Sequence, residues 1–334
     1  MKIEEDIWYG NHWSKWLLAP LSVTFAAITC SRRKLFDLGI KASVKPAVPT
    51  IVVGNITVGG TGKTPLVVYL CEQLIAAGYK PGIISRGYGS KAPQYPYIVN
   101  NDSPVAYSGD EPFMLHKRTQ CPLVISPVRT AAAAHLLAHF DVDVIITDDG
   151  LQHYAMQRDI ELIVIDGKRR LGNGHLLPMG PLREGAWRLK TADFVICNGG
   201  NGLAGEANMR LVAAPLRKVS NNEAAETGVG SGTEVANVAI AGIGNPQRFY
   251  NTLEKHDYVI EDHLSFPDHH AFTAADIAQF AAGRTVIMTE KDAVKCQSFA
   301  QDNWYYLPVN ASLDGDFLPQ LLLKLKELNH DFGS

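Results

Sequence analysis

The stretch "GNITVGGTGKTPL", residues 54–66, decides how this chain folds. It follows "TIVVGNI", a short β-branched run that reads as a buried strand, and it leads into "PLVVYLCEQLIAAGYK", a helical pattern ending at Gly78. A glycine-rich turn between strand and helix, ending in Gly62-Lys63-Thr64, reads as a phosphate-binding loop. Gly59, Gly60 and Gly62 free the backbone on either side of Thr61 to aim amide groups inward, and the helix adds the positive end of its dipole. Lys63 then reaches the terminal phosphates and Thr64 ligates Mg²⁺. An ordinary glycine-rich turn would need neither the hydrophobic strand before it nor an intact G-K-T. One position departs from the general pattern G-x-x-x-x-G-K-[ST]: Thr57 stands where its first glycine belongs.

Outward from the loop, strand-like runs alternate with helical patterns. "PGIISRGYGS", "PLVISP", "VDVIITDDG", "IELIVID" and "ADFVICNG" read as strands; "DEPFMLHKRT" and "RTAAAAHLLAHF" read as helices. Such alternation predicts an α/β fold, a mostly parallel P-loop-type sheet with helices on both faces. Ligands in these sheets lie beyond the carboxyl ends of the strands, and the glycine loop, "SRGYGS", "TDDG" and "DGKRR" all fall there. A P-loop needs an acidic partner at the end of a neighbouring strand, and "VDVIITDDG" supplies Asp148 and Asp149. Asp-Asp-Gly also makes a good turn, but beside this loop the pair points to the metal.

The segment 218–235, "KVSNNEAAETGVGSGTEV", is polar and glycine-rich and reads as a linker or exposed excursion. From 236 the pattern restarts with "VANVAIAGIGNPQRFYNTL", followed by "TVIMTEKDAVK" and "WYYLPVNA" as strands and "LPQLLLKLKELN" as a closing helix. We therefore expect an N-terminal helix (1–34), a P-loop core (35–217), the linker, and a smaller α/β domain over 236–334. "AGIGNP" lacks the third glycine of a dinucleotide-binding turn and carries little weight.

Residues 13–34, "WSKWLLAPLSVTFAAITCSRRK", place Trp13, Trp16, Leu17, Leu21, Phe25 and Ile28 at helical spacing ahead of Arg32, Arg33 and Lys34. The apolar run would extend roughly 22 Å as a helix, short of the about 30 Å of a hydrocarbon core. The segment suits an interface better than a span, with tryptophans at headgroup level and basic residues on anionic lipid. The acidic start "MKIEED" and the absence of a small-residue cleavage site argue against a secretory signal.

Composition narrows the rest. The chain has 334 residues, 46% hydrophobic and 19% charged, enough for a sizeable core, and a net charge of -3 gives no reason to expect nucleic-acid binding. Its five cysteines are scattered without a C-x-x-C pair, which fits a reducing compartment and neither a zinc ribbon nor a disulfide framework. The acceptor of the phosphate is not written in the loop. Candidate polar clusters are Asp110 and Glu111 in "SGDEP", Arg129 in "SPVRT", Arg183 and Glu184 in "GPLREG", and Asp268, His269 and His270 in "FPDHHAF". An aspartate and a histidine brought together make a base dyad, and arginines stabilise a transferring phosphoryl group, but each cluster alone also fits a cap or a surface pair.

Taken in order, G-N-x-x-x-G-G-T-G-K-T-P, S-R-G-Y-G, G-D-E, D-D-G-L-Q-H, L-L-P-x-G-P-L-R-E, G-I-G-N-P, D-H-H and T-E-K-D resemble the tetraacyldisaccharide 4′-kinase family of Gram-negative bacteria, nearly from end to end. The displaced glycine belongs to that resemblance, with Gly54 and Gly59 flanking Thr57. The resemblance implies ATP- and Mg²⁺-dependent phosphorylation of the 4′-hydroxyl of tetraacyldisaccharide 1-phosphate to give lipid IVA. It implies a smaller C-terminal domain closing over nucleotide, and an N-terminal helix at the cytoplasmic face of the inner membrane. It assigns a catalytic aspartate to Asp110 and its partner to His269, with His270 as the alternative. Arg129, Arg183 and Glu184 match further functional positions, besides Lys63, Thr64, Asp148 and Asp149. In that scheme Asp110, assisted by His269, takes the hydroxyl proton while Lys63, Mg²⁺ and an arginine neutralise the γ-phosphate. Two rivals remain: a non-kinase NTPase, because "MTEKDAVK" has a superficial likeness to the guanine-reading N-K-x-D, and a membrane-associated scaffold that keeps the fold without the chemistry.

Overall fold

The computed structural model describes residues 3–10, 12–226, 228–230, 237–281 and 283–332, so part of the expected linker at 218–235 lies outside the described residues. Eight strands come first: β1 (Thr50–Gly54), β2 (Pro81–Ser85), β3 (Tyr97–Val99), β4 (Leu123–Ile125), β5 (Val144–Asp148), β6 (Ile160–Asp166), β7 (Phe194–Asn198) and β8 (Glu206–Ala213). A second sheet takes β9 (Arg217–Lys218), β10 (Asn237–Ala241), β11 (Asp262–Ser265), β12 (Thr285–Thr289) and β13 (Trp304–Leu307). The last strand, β14 (Val309–Leu313), returns to the first sheet, whose order is β14-β8-β7-β6-β1-β5-β2-β4-β3. The second runs β11-β10-β12-β13-β9. In the first sheet only the edge strands β3 and β14 pair antiparallel.

The helices in chain order are α1 (Ile3–Tyr9), α2 (Ala19–Asp37), α3 (Lys63–Ala76), α4 (Val105–Ser108), α5 (Asp110–Thr119), α6 (Arg129–His139), α7 (Pro246–Lys255), α8 (Ala274–Ala281), α9 (Glu290–Cys296) and α10 (Phe317–Phe332). Successive side chains of a strand point to opposite faces. Ile51 and Val53 of β1 therefore pack with Leu66 and Leu70 of α3, while Val52 packs with Leu151 and Ile163 on the other face. Covering both faces is why every residue of β1 is buried and why its sequence is continuously apolar. The expected α/β core, with helices on both faces of a mostly parallel sheet, is the architecture found.

The chain's last segment departs from expectation. "WYYLPVNA" is two strands in two sheets, because Pro308 has no N–H to continue a ladder. β14 then pairs with β8, and α10 sets Phe317, Leu321 and Leu325 into the main core. The smaller unit therefore spans 217–307, and residues 309–328 pack with the larger one rather than with a domain running over 236–334. "TVIMTEKDAVK" likewise changes element midway: Thr289 ends β12 and caps α9, accepting from the Asp292 amide at 3.2 Å.

Among the described residues no helix is long and apolar enough to cross a membrane. α2 turns buried Ser22 inward, where its hydroxyl donates to the Leu176 carbonyl at 2.8 Å, and the indole of Trp8 donates to Pro178 at 3.0 Å. Trp13, Trp16, Leu17, Leu21 and Ile28 all face outward, each more than half exposed: 68%, 62%, 68%, 59% and 62%.

Candidate active site

The loop after β1 is held from three sides. Asn55, fully buried, donates from Nδ2 to the carbonyls of Thr57 (2.8 Å) and Gly59 (3.3 Å) and accepts from Lys63 Nζ at 3.2 Å. Asn198, at the end of β7, donates to the Thr61 carbonyl at 2.7 Å. Gly62, the N-cap of α3, has φ 91°, and a Cβ there would lie 2.2 Å from Asn198 Nδ2, so glycine is required. Added Cβ atoms at Gly59 and Gly60 would meet nothing within 4 Å, so this rim of the loop opens outward.

The same geometry explains the displaced glycine. Thr57 is buried and pairs with Leu182 in an isolated antiparallel bridge, flanked by Val58 N to Pro181 O (2.9 Å) and Arg183 N to Ile56 O (2.7 Å). Extended backbone of that kind has no need of glycine. The close approach falls at Gly54, where a Cβ would sit 2.6 Å from Leu151 Cβ in the D-D-G-L turn.

β5 lies beside β1 in parallel register and delivers Asp148 to the loop. The Asp148 carboxyl is buried and its Oδ1 has no hydrogen-bond partner. Burial, then the charge of Glu111, pushes it up to about 7, against the pull of Lys63. Asp149 sits at φ 50° between Lys63 (3.5 Å) and Arg183 (3.3 Å). Burial raises its carboxyl, but those two cations outweigh burial and hold it below its ordinary value. Arg129, buried at the start of α6, donates from Nη2 to the carbonyls of Asp148 (3.3 Å) and Asp149 (3.2 Å). Its burial draws the guanidinium down to about 10. Arg129 thus braces the backbone of the acidic turn, and Arg183 is the arginine beside the loop lysine. Thr64 lies half-buried in the first turn of α3.

The second cluster joins the two units. Asp110 opens α5 and is 6% exposed; His269, in the loop after β11, places Nδ1 at 3.1 and 3.0 Å from its two oxygens. Gly109 (φ 82°) lets the chain turn into α5 there, since a Cβ would lie 2.9 Å from the Tyr88 carbonyl. His270 points elsewhere: its ring packs on Phe266 and Phe272 at 4.8 and 4.9 Å, and Nε2 faces Asp276 at 3.5 Å. Lys291 of α9 completes the cluster, with Nζ at 2.9 Å from Glu111, 3.1 Å from Asp268, 3.8 Å from Asp110 and 3.5 Å from His269 Nε2. Burial lowers this ammonium, but the carboxylates around it prevail and keep it above its ordinary value.

Glu184 joins neither cluster. Its carboxylate takes hydrogen bonds from Arg188 Nε (2.7 Å) and the Tyr154 hydroxyl, and Arg188 reaches on to Glu161 at 2.9 Å. That buried network lies against α2, whose Arg33 stacks 4.1 Å over Trp187. Single motifs cannot show which way Glu184 turns, because the next residue, Arg183, points to the loop. Sequence reading also passed over Asn55, Asn198 and Lys291. Asn55 and Lys291 lay within motifs it quoted, but their partners come from distant segments. Arg248 of α7 was missed as well; it donates to Asn198 Oδ1 at 3.2 Å and stands 3.9 Å from Asp166, touching the larger unit.

The chain is similar to proteins of named activity. The family described as Tetraacyldisaccharide-1-P 4′-kinase matches residues 14–326. The tetraacyldisaccharide 4′-kinase of Tolumonas auensis is 53% identical over 329 residues, 98% of this chain and 99% of that protein. That of Vibrio parahaemolyticus is 50% identical over 336 residues, covering 99% and 98%. The crystal structure of the "apo" form of LpxK from Aquifex aeolicus in complex with ATP matches with a TM-score of 0.78 at 28% identity, covering 95% of this chain and 99% of that one.

Proposed function

The chain belongs to the tetraacyldisaccharide-1-P 4′-kinase family, and from that premise we propose that it transfers the γ-phosphoryl group of ATP to the 4′-hydroxyl of tetraacyldisaccharide 1-phosphate, giving lipid IVA. The observation that carries the reading is Asp110, buried and hydrogen-bonded by His269, on a chain with an intact phosphate loop. A hydrolase positions a water; a kinase needs a base for its acceptor, and this pair supplies one. As the hydroxyl oxygen bonds to the γ-phosphorus and the bridge to the β-phosphate breaks, Asp110 takes the hydroxyl proton. Lys63 and Arg183, fixed by Asp149, oppose the charge on the transferring group. Glu184 acts at a distance, anchoring the segment that presents Arg183.

Mg²⁺ fits the residues present. Asp148 and Asp149 each offer a buried Oδ1 without a hydrogen-bond partner, Asp149 beside Lys63 and Arg183, so Asp148, Asp149 and Thr64 would hold the metal. Held by those residues, Mg²⁺ would supply positive charge opposite the phosphates.

The guanine-reading alternative loses its motif. Asp292 of T-E-K-D is fully buried, accepting from the Gly242 amide (2.8 Å) and the Thr289 hydroxyl (2.6 Å), so it holds β10 to α9 instead of facing a base. The exposed indoles and aliphatic side chains of residues 13–28, with exposed Arg32 and Lys34 beyond them, suit the cytoplasmic face of the inner membrane, where a glycolipid acceptor lies. α2 rests on Leu176, only a few residues before the Leu182-Arg183 pairing with the loop, which brings that surface toward the chemistry.

Incubating the purified protein with γ-labelled ATP and the disaccharide lipid in mixed micelles tests the assignment. Label in a phospholipid product is expected. Preference for GTP, or hydrolysis with no labelled lipid, would overturn it.

A further inference from the structure

We propose that the cleft behind the Arg118–Glu290 pair is a second ligand site, shaped for a small phosphorylated sugar whose binding holds the two units in their joined arrangement. It goes beyond the kinase reading, and no residue of the phosphate loop lines it.

Neighbouring residues of α9 serve opposite sides of its contact with α5. Lys291 meets Glu111 beside Asp110, whereas Glu290 meets Arg118, whose Nη1 lies 2.9 and 2.7 Å from its two oxygens. Behind that second pair lies a cleft of about 780 Å³, within the size range of small-molecule sites. One wall is α5 of the larger unit, with Met114, Lys117 and Arg118. The other belongs to the smaller unit, with Val294 of α9, Gln297 just beyond it and Tyr306 of β13. Ala214, Pro215 and Pro308, where the chain passes between the units, line it as well. Three cations, Lys117, Arg118 and Arg217, share this lining with two carboxylates, exposed Glu72 and half-buried Glu290. Arg118 and Glu290 satisfy each other. Among the described residues neither Lys117 nor Arg217 makes an ion pair: Lys117 Nζ rests 5.4 Å over the Phe113 ring, and Arg217 Nε donates to the Asn222 carbonyl at 3.0 Å. Two such cations suit a phosphate group. The rest of the lining fits a sugar. Side-chain amides both donate and accept, as hydroxyls do, and Asn101, Gln120, Asn221, Gln297 and Asn310 all reach the cleft. Met114, Val294 and the Tyr306 ring offer an apolar side to the face of a sugar ring. An occupant that touches Lys117 on one wall and Arg217 of the smaller unit fits one spacing of the units, the spacing that also brings His269 to Asp110 at 3.0 Å. Binding in the cleft and joining of that pair are therefore linked, each favouring the other.

The test measures binding by calorimetry to the full-length protein in detergent, with Mg²⁺ and a non-hydrolysable ATP analogue occupying the phosphate loop. The probes are glucose 6-phosphate and AMP, phosphorylated sugars from two sources, with inorganic phosphate and glucose as controls for the charge and the body alone. At least one phosphorylated sugar is expected to bind with a Kd of about 1 mM or tighter, and at least about tenfold tighter than either control. Whichever binds identifies the source. The double variant Lys117→Glu with Arg217→Glu should weaken that probe by about tenfold or more, while its kcat without probe stays within about twofold of wild type. His269→Gln, away from the cleft, should weaken the probe by about threefold or more through the linkage. Weaker binding by both phosphorylated sugars, equal affinity for either control, or an unchanged Kd in the double variant would each overturn the site. An unchanged Kd in His269→Gln would overturn its hold on the units. If the double variant does not fold, acetylation of wild-type Lys117 by acetic anhydride, read by mass spectrometry, decides: protection by the probe supports the site and undiminished labelling overturns it. The binding readouts involve no phosphoryl transfer, so failure here leaves the kinase reading standing.

Discussion

The phosphate loop and its acidic pair sit on β1 and β5, hydrogen-bonded neighbours in one sheet, whereas Asp110 meets His269 across two sheets and 159 residues of sequence. In the first half of the site Lys63, Asp149 and Arg183, all of the larger unit, hold one another, and the smaller unit touches it through Arg248 on Asn198. The second half depends on contacts between units, chiefly Asp110 with His269, Glu111 with Lys291 and Arg118 with Glu290. The difference separates two tasks. The loop and its acidic pair are contained in the larger unit, while the proposed base for the acceptor is shared between the two units.

The sharpest attempt to break this division is Asp110→Asn. We expect kcat to fall by about 10³ to 10⁴, at the upper end for a general base, with ATP affinity by calorimetry nearly unchanged; a parallel loss of ATP binding would show the halves to be one. Asp148→Asn probes the opposite half and should lower kcat/KM for ATP by about a hundredfold or more. It should also raise the melting temperature of the Mg²⁺-free protein. The folded-state carboxyl, pushed up to about 7 mainly by burial, is harder to ionise than in the unfolded chain. Its destabilising contribution is therefore absent below the ordinary carboxyl range, grows as pH rises, and is full above about 7. The gain from asparagine should follow that course in melting curves taken across pH; a gain confined to acid would be the wrong sign. Arg118→Ala removes a half-buried pair between the units, at 2.9 and 2.7 Å from the two Glu290 oxygens. A drop of about tenfold in kcat with intact ATP affinity would place closure, not nucleotide, at that contact. The smallest effect on turnover is expected from Trp16→Ser with Leu17→Ser: kcat in micelles within about twofold, but vesicle association weakened by about tenfold or more. Undiminished vesicle binding would remove the outward face of the N-terminal helix from the account.

What the sequence made legible follows the same division. The loop, the flanking strand and helix, and the Asp148-Asp149 pair are local patterns, set by residues within one turn or one strand, and alternation of apolar runs was enough to infer the parallel sheet around them. Asp110 and His269 were reached through family resemblance, since no spacing rule connects positions in different units. Local reading failed where tertiary context reversed a reasonable inference. Pro308 divides what looked like one strand, Thr289 converts another into a helix cap, and Glu184 turns toward Arg188 while its neighbour Arg183 turns to the loop. Lys291 was visible inside T-E-K-D, but its meaning depends on Glu111 and Asp268, which only folding brings near it.

The return of β14 to the larger sheet has a consequence for how such a chain is put together. The smaller unit leaves after β8 and comes back at β14, two antiparallel partners in which Ala213 stands opposite Val309, and the Ala214 amide donates to the Pro308 carbonyl at 2.9 Å. Its entry and exit are thus adjacent rungs of one ladder, so the smaller unit is a cassette seated in a hairpin. Excising 215–307 and joining the neighbouring ends would leave the larger sheet's strand order and both of its terminal elements untouched. Truncation from the C-terminus does the reverse: it strips β14 and α10 from the main core before it reaches the cassette.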